Sequence, residues 1–235
     1  ILLLLSIGLV MVLSASSPSA LSESGNSYAY FSKQLIFAIL GIIAMLFISK
    51  IDYRFYQKFY KQSWWISLIL LALVLIAGKT VNGAKRWIYV TETLSFQPSE
   101  LVKMLMIIFY AGILVKNRDE LGSYGKGFLK NMCFLAPIIG LLLLQPHFSA
   151  SIVIIGICSI MMIMAGCKFW HFLATGGIIG IPGMILLIIK EPYRLQRVVT
   201  FLDPWKDATG DGWQVIQSLY AIGSGGLFGV GLRRE

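Results

Sequence analysis

The feature that most restricts this chain is a stretch of 37 residues, Asn131 to Cys167, without a single Asp, Glu, Lys or Arg. Another 21 uncharged residues run from Phe169 to Ile189. A bilayer core is about 30 Å thick, and a helix needs about 20 apolar residues to cross it. The longer run exceeds one span and is interrupted at Gln145-Pro146-His147, so it predicts two helices joined by a tight hairpin. Composition argues the same way. Hydrophobic residues make up 57% of the chain and charged ones 13%, against about 25% charged in soluble domains. Intrinsic disorder and an ordinary soluble domain are both excluded.

The pattern predicts an all-α, polytopic membrane protein with about seven spans, near 1–17, 34–49, 63–78, 98–115, 129–145, 148–166 and 169–189. Residues 1–235 read as a single membrane domain, truncated at both ends, since the chain begins at Ile1 rather than Met. After Lys190 the sequence turns to Gly, Arg and aromatics, with no run long enough to span. It is expected to form an amphipathic or re-entrant segment packed on protein, because bare backbone is not tolerated against lipid.

Orientation follows the short loops. Lys50, Arg54, Lys58, Lys61, Lys116, Arg118, Lys126, Lys130 and Lys168 fall on one side, and Lys33, Lys79, Lys85 and Arg86 on the other. The richer side is expected to be cytoplasmic, which puts the N-terminus inside and 190–235 outside. The net charge of +9 then reflects the leaflet and anionic lipid, not nucleic acid. The six basic residues of the outer segment raise the question of which anion they meet. A solvated loop beside headgroups is one answer, and a lipid phosphate or diphosphate is the other.

Cys133, Cys158 and Cys167 lie in or beside apolar segments without CxxC spacing, and His147 and His171 form no HExxH. The cysteines are expected to be buried free thiols, neither a disulfide frame nor, with the histidines, a metal site. No cofactor motif is evident, and a divalent cation stays open. The glycines after Trp213 fit neither GKS/GKT nor a strand-borne GxGxxG.

Four stretches could carry chemistry. In Asn82-Gly83-Ala84-Lys85-Arg86-Trp87-Ile88, a turn precedes two cations and an indole, suited to a phosphate and a sugar face or simply to an interfacial anchor. In Phe96-Gln97-Pro98-Ser99-Glu100-Leu101-Val102-Lys103, Pro98 opens a helix, Glu100 falls in its positive first turn, and Lys103 can pair with it at i+3. An ionisable residue inside a span faces a cavity or a partner. Pro192 to Leu202 reads as a short amphipathic helix with Arg194 and Arg197 on one side, ended by Asp203-Pro204. Gln214, Gln217 and Ser218 form one polar stripe on the helix that follows.

Together, Gly83–Ile88, Phe96–Lys103, Gln145–Ala150 and above all Asp203–Leu232 resemble the SEDS family, the shape, elongation, division and sporulation proteins. The Gln-x-x-Gln-Ser pattern is closest to the division and spore-cortex members, the FtsW and SpoVE types. The resemblance implies a roughly ten-span helical fold in the bacterial cytoplasmic membrane. It implies a peptidoglycan glycosyltransferase that polymerises lipid II on the outer face. The implied partners are a class B penicillin-binding protein and other division proteins. A lipid II flippase or a non-catalytic divisome scaffold is the alternative. The acidic residue thought to be catalytic in the family is expected beyond Glu235, so no catalytic residue is assigned. Carried over by position, the substrate-binding residues are Lys85, Arg86, Trp87, Gln97, Ser99, Glu100, Lys103, Arg194, Arg197, Gln217 and Ser218. Glu100 and Lys103 are cast as a cavity wall, with Arg86 and Arg197 on the diphosphate. His147 stands where many relatives carry aspartate, and Ser149-Ala150 replace the usual Gly-Thr.

Overall fold

The structure, a computed structural model, describes the backbone of every residue except 82, 83, 90–94, 190, 191, 211, 227, 228 and 230–235. Among the residues so described, the side chains of 24, 81, 84, 179, 184, 187, 188, 192–194, 197 and 198 also fall outside the description. The chain divides into two compact units, Asp52–Pro182 and the pair of segments Ile1–Ile51 and Gly183–Glu235.

Asp52–Pro182 is built on four long helices, two short ones, brief 3-10 and π-helical segments and a small sheet. Helix α3 (Tyr53–Lys58) starts where the Asp52 side chain accepts a hydrogen bond from the Arg54 N–H at 2.8 Å. Capping of this kind satisfies one of the orphan donors of a helix start. Helices α4 (Tyr60–Ala77), α5 (Pro98–Lys116), α6 (Lys130–Leu144) and α7 (Phe148–Ala165) then pack on one another, α5 against both α4 and α7. Along α5 the buried residues Ser99, Val102, Met106, Phe109, Tyr110 and Ile113 recur every three or four positions. Its other face exposes Leu101, Met104, Ile107 and Val115, as a helix half in protein and half in lipid should.

The buried face meets Leu71 of α4, Leu135, Ile138 and Leu142 of α6, and Ile154, Cys158 and Met162 of α7. Several polar groups in this core are partnered. Tyr110 donates to the Asn131 carbonyl at 2.7 Å, the Asn131 amide to the Gly127 carbonyl at 2.6 Å, and the Trp64 indole to the Phe134 carbonyl at 2.9 Å. Gly112 permits a close approach of α5 to Tyr60 at the start of α4, because a Cβ there would stand 2.4 Å from the Tyr60 ring.

Three strands interrupt the helical pattern: β1 (Lys79–Val81), β2 (Ala84–Tyr89) and β3 (Ser95–Phe96), antiparallel in that order. Sequence reading expected an interfacial turn here. The expected turn at Asn82-Gly83 lies outside the described residues, and the pairing of Val81 with Ala84 on either side is what an Asn-Gly pair, the strongest short-range hairpin signal, leads one to expect.

In the other unit, α1 (Leu2–Ser24) runs past the expected end at 17 and through Pro18, then stops at Gly25, whose φ of 68° closes the helix. It pairs with α2 (Ala29–Ile48). The expected seventh span, 169–189, is helical but composite. It comprises α8 (Phe169–Thr175) and a π-helical turn over Gly176–Gly180, both belonging to the Asp52–Pro182 unit, and α9 (Ile181–Ile189), most of which belongs to the other. The glycine-rich middle accounts for the break in regular α geometry. The amphipathic α10 (Pro192–Leu202) ends at Asp203, and a 3-10 turn at Pro204–Asp207 leads to α11 (Trp213–Gly225). Among the described residues, six helical stretches are long and apolar enough to cross a membrane.

Candidate functional site

The sheet, the start of α5 and the α6–α7 turn meet at one end of the Asp52–Pro182 unit. Strand β3 leads directly into Gln97, whose extended backbone (φ −106°, ψ 103°) precedes Pro98 at the first helical position. Proline is preorganised for that position and forfeits no hydrogen bond there. The first turn of α5 thus presents backbone N–H groups at its positive end, with Glu100 among them. Glu100 and Lys103 form an ion pair at 2.7 Å, in which the lysine side chain is 25% exposed and the carboxylate 58%.

Arg86 reaches the same place from β2. The ladder pairs Lys79 with Trp87 and Thr80 with Lys85, so Arg86 is the extra residue of a β-bulge. A bulge kinks its strand and re-aims one side chain. Here the re-aimed guanidinium donates to the carbonyl of Pro146 in the α6–α7 turn. Trp87 beside it is half-buried and Lys85 is exposed.

The turn is anchored twice more. Gln145, 2% exposed, donates to the Leu71 carbonyl of α4 at 2.8 Å. His147, 6% exposed, sits with its Nε2 at 3.1 Å from the Gln97 side-chain amide. Burial, and then the nearby Arg86 guanidinium, lower the pKa of the His147 ring below its ordinary value, with Lys103 acting the same way and Glu100 opposing. Its ring is therefore neutral, with one nitrogen able to accept. Arg86 Nε, Ser99 Oγ and His147 Nδ1 are buried polar atoms without a protein hydrogen-bond partner. Such atoms are costly unless water or a ligand completes them.

The structure therefore brings together Arg86, Gln97, Ser99, Glu100 and Lys103, with Lys85 and Trp87 on the adjoining strand. Gln217 and Ser218 lie exposed on α11 in the other unit, where Ser218 Oγ donates to the Val215 carbonyl at 2.7 Å. Arg194 and Arg197 belong to α10, and their side chains lie outside the described residues. Pro146 and His147 are members of the cluster that sequence reading did not include, although the Gln-Pro-His stretch was among those carrying the family resemblance. No group of three or more His, Cys, Asp and Glu able to hold a metal occurs among the described residues.

Comparison with known proteins decides the family. The cell cycle protein family model of FtsW, RodA and SpoVE matches residues 1–235. The chain belongs to this family. It is 40% identical over 233 residues to stage V sporulation protein E of Bacillus subtilis, covering 98% of this chain and 63% of that protein. To the probable peptidoglycan glycosyltransferase FtsW of Coxiella burnetii it is 40% identical over 231 residues, covering 97% of this chain and 62% of the relative. The chain thus spans somewhat under two thirds of the curated relatives it matches. Among solved structures it resembles a chain described in work on coordination of polymerization and crosslinking by a peptidoglycan synthase complex. That match has a TM-score of 0.68 and 28% identity over 94% of this chain and 65% of the other. It also resembles the rod shape determining protein RodA of Thermus thermophilus, with a TM-score of 0.59 and 25% identity over 77% of this chain and 58% of the other. As a member of the FtsW/RodA/SpoVE family with six apolar helices, this is a multi-pass membrane protein.

Proposed function

We propose that this FtsW/RodA/SpoVE protein polymerises lipid II into glycan strands on the outer face of the bacterial cytoplasmic membrane, alongside a class B penicillin-binding protein and other division proteins. The observation that carries the reading is the bulge that turns Arg86 toward the α6–α7 turn, beside the positive start of α5 and the Glu100–Lys103 pair. This end of the unit is the one expected outside the cell, with the N-terminus cytoplasmic. Cations at headgroup level suit a lipid carrying a diphosphate.

The chemistry explains why cations are wanted. The bond between a sugar C1 and its diphosphate oxygen breaks, and C1 bonds to the acceptor sugar's hydroxyl oxygen. The hydroxyl proton passes to a general base, and the diphosphate leaves with its negative charge. Charge developing on that leaving group is stabilised by fixed cations in a site shielded from water. Arg86 and Arg197 are assigned to the diphosphate. Gln97, Ser99, Gln217 and Ser218 are assigned to polar contacts, Lys85 to the phosphate, Trp87 to the sugar face, and Arg194 to a further contact with the substrate. Glu100, held by Lys103, is assigned to the cavity wall and not to the base.

Arg86→Ala and Arg197→Ala, each introduced into the complete gene, test this. Both proteins should reach the membrane in normal amount and form few or no glycan chains from labelled lipid II. Unchanged chains in either variant would remove that arginine from the site. Lipid movement across the bilayer without chain formation in the parent protein would replace the polymerase reading with a flippase.

A further inference from the structure

Three consecutive residues of the α6–α7 turn each reach a different element. Gln145 donates to the Leu71 carbonyl of α4 at 2.8 Å, the Pro146 carbonyl accepts from Arg86 of β2, and the His147 ring lies 3.1 Å from the amide of Gln97 at the mouth of α5. Each bond ties residues 50 or more positions apart in sequence. Turns on a protein surface ordinarily satisfy their polar groups locally or with water. This one is directed inward: Gln145 and His147 are almost wholly buried. Its own geometry is fixed as well. The His147 N–H donates to the Leu142 carbonyl at 2.9 Å, and its carbonyl accepts from Ser151 Oγ at 3.1 Å.

A buried imidazole at this spot is a demanding choice for a mere spacer. It carries two polar nitrogens, of which Nε2 meets Gln97 and Nδ1 meets no protein partner. An apolar side chain would fill the same volume without that cost. What the ring supplies is a rigid, neutral hydrogen-bonding partner for Gln97, the residue that immediately precedes the first turn of α5.

We propose that His147 is a positioning residue, which locks the Gln97 amide at the mouth of α5 while the carbonyl of the preceding Pro146 locks Arg86, so that both face the diphosphate of the lipid substrate in one fixed arrangement. The proposal rests on the polymerase reading for the identity of the anion. His147 acts through Gln97 and does not itself touch substrate.

Two variants separate this role from a structural one. His147→Gln keeps a neutral side chain with both a donor and an acceptor, and serves Gln97 in either amide orientation. His147→Leu fills the space but offers no hydrogen bond. The readouts are affinity for a polyprenyl diphosphate in detergent micelles, and KM and kcat for lipid II polymerisation by the protein from its complete gene. His147→Leu should weaken diphosphate affinity and raise KM about tenfold, with kcat within about threefold, because a loosened binding group costs substrate placement first. His147→Gln should restore both to within about twofold of the parent. Gln97→Leu combined with His147→Leu should bind no more weakly than the weaker single variant, since both remove one contact.

Parental affinity in His147→Leu, failure of His147→Gln to rescue, or full additivity with Gln97→Leu would each overturn the proposal. If the affinity pattern holds while the parent forms no glycan chains, the positioning role stands and the polymerase reading falls. If chains form without the affinity pattern, the reverse follows.

Discussion

The two compact units use equally apolar helices in opposite ways. In the Asp52–Pro182 unit, half of the most apolar stretch of α5 is buried inside protein, whereas none of the corresponding stretches of α1 and α2 is. The buried core is drawn almost wholly from α4 to α7 and the turns joining them. In the other unit only Ala20, Pro204, Gly212 and Ile216 are buried among the described residues. The difference follows from what lipid does not provide. Lipid tails are as apolar as leucine, so a membrane helix gains little by burial itself and must be held by close packing and hydrogen bonds. Helices α4 to α7 have both, through aromatic stacking around Phe109, the glycine contact at Gly112 and the buried bonds of Gln145 and Asn131. Helices α1 and α2 are apolar around their whole circumference and require only a solvent of the same kind.

Cavity formation is the strongest way to break this contrast. The Phe109 ring packs against Trp64, Tyr60, Tyr110 and Phe134 at centroid distances of 5.3 to 6.3 Å and is 3% exposed. In lipid the transfer part of a large-to-small substitution largely vanishes and the cavity part remains, so Phe109→Ala should cost about 2–3 kcal/mol. Ile43→Ala on the exposed face of α2 should cost less than about 0.5 kcal/mol. Thermal unfolding in detergent measures both. Equal losses would mean that something packs against α2 in the native membrane.

Overpacking comes next. An added methyl at Gly112 meets the Tyr60 ring at 2.4 Å, and Gly112→Ala should cost about 1–3 kcal/mol as α4 and α5 are forced apart. In the other unit Gly212 is equally confined, with a would-be Cβ 2.1 Å from the Pro204 carbonyl oxygen. Gly212→Ala should disturb only the short connection between the 3-10 turn and α11. Limited proteolysis near 205–212 would rise in that variant, while the melting of the α4–α7 bundle stays unchanged.

How much of this was legible in the sequence depended on the range of the interaction. The spans were visible because each needs only about 20 apolar residues in a row, a local property. Helix α1 outran its expected end at 17 because proline is tolerated inside membrane helices, and Pro18 does not end it. The Glu100–Lys103 pair was visible at i+3. The strands were missed because Lys85-Arg86-Trp87 is equally typical of an interfacial anchor, although Asn82-Gly83 flanked by paired residues was the available signal. The bulge at Arg86 depends on register between two strands, and the contact of His147 with Gln97 joins residues 50 positions apart. Neither leaves a trace in local periodicity.

A smaller effect probes the site end of the tightly packed unit through pH. The His147 ring is held below the ordinary histidine value of 6.5, chiefly by burial and next by Arg86. The unfolded chain therefore takes up a proton near the ordinary value while the folded chain resists it. Where the unfolded state binds more protons, stability rises with pH. The stability tied to this ring is present above that value and is lost as pH falls through the lower folded one. Melting temperature should decline from about pH 7 to about pH 5 in the parent and less steeply in His147→Gln. Parallel declines would assign the acid sensitivity to other groups.

The smallest expected effect on stability is at Glu100. Its carboxylate is 58% exposed and 2.7 Å from Lys103, so water screens most of what the pair and the helix dipole contribute. Glu100→Gln should therefore cost less than about 1 kcal/mol. On the proposed function it should nonetheless lower glycan chain formation by at least about tenfold, because Lys103 loses the partner that fixes it at the cavity wall. That pairing of a small loss in melting temperature with a large loss in turnover is the opposite of what Phe109→Ala should give, where folding fails first. A fall in melting as large as that of Phe109→Ala would instead place the Glu100–Lys103 pair among the contacts that hold α5 in the bundle, and would leave Arg86 as the cation on which the site depends.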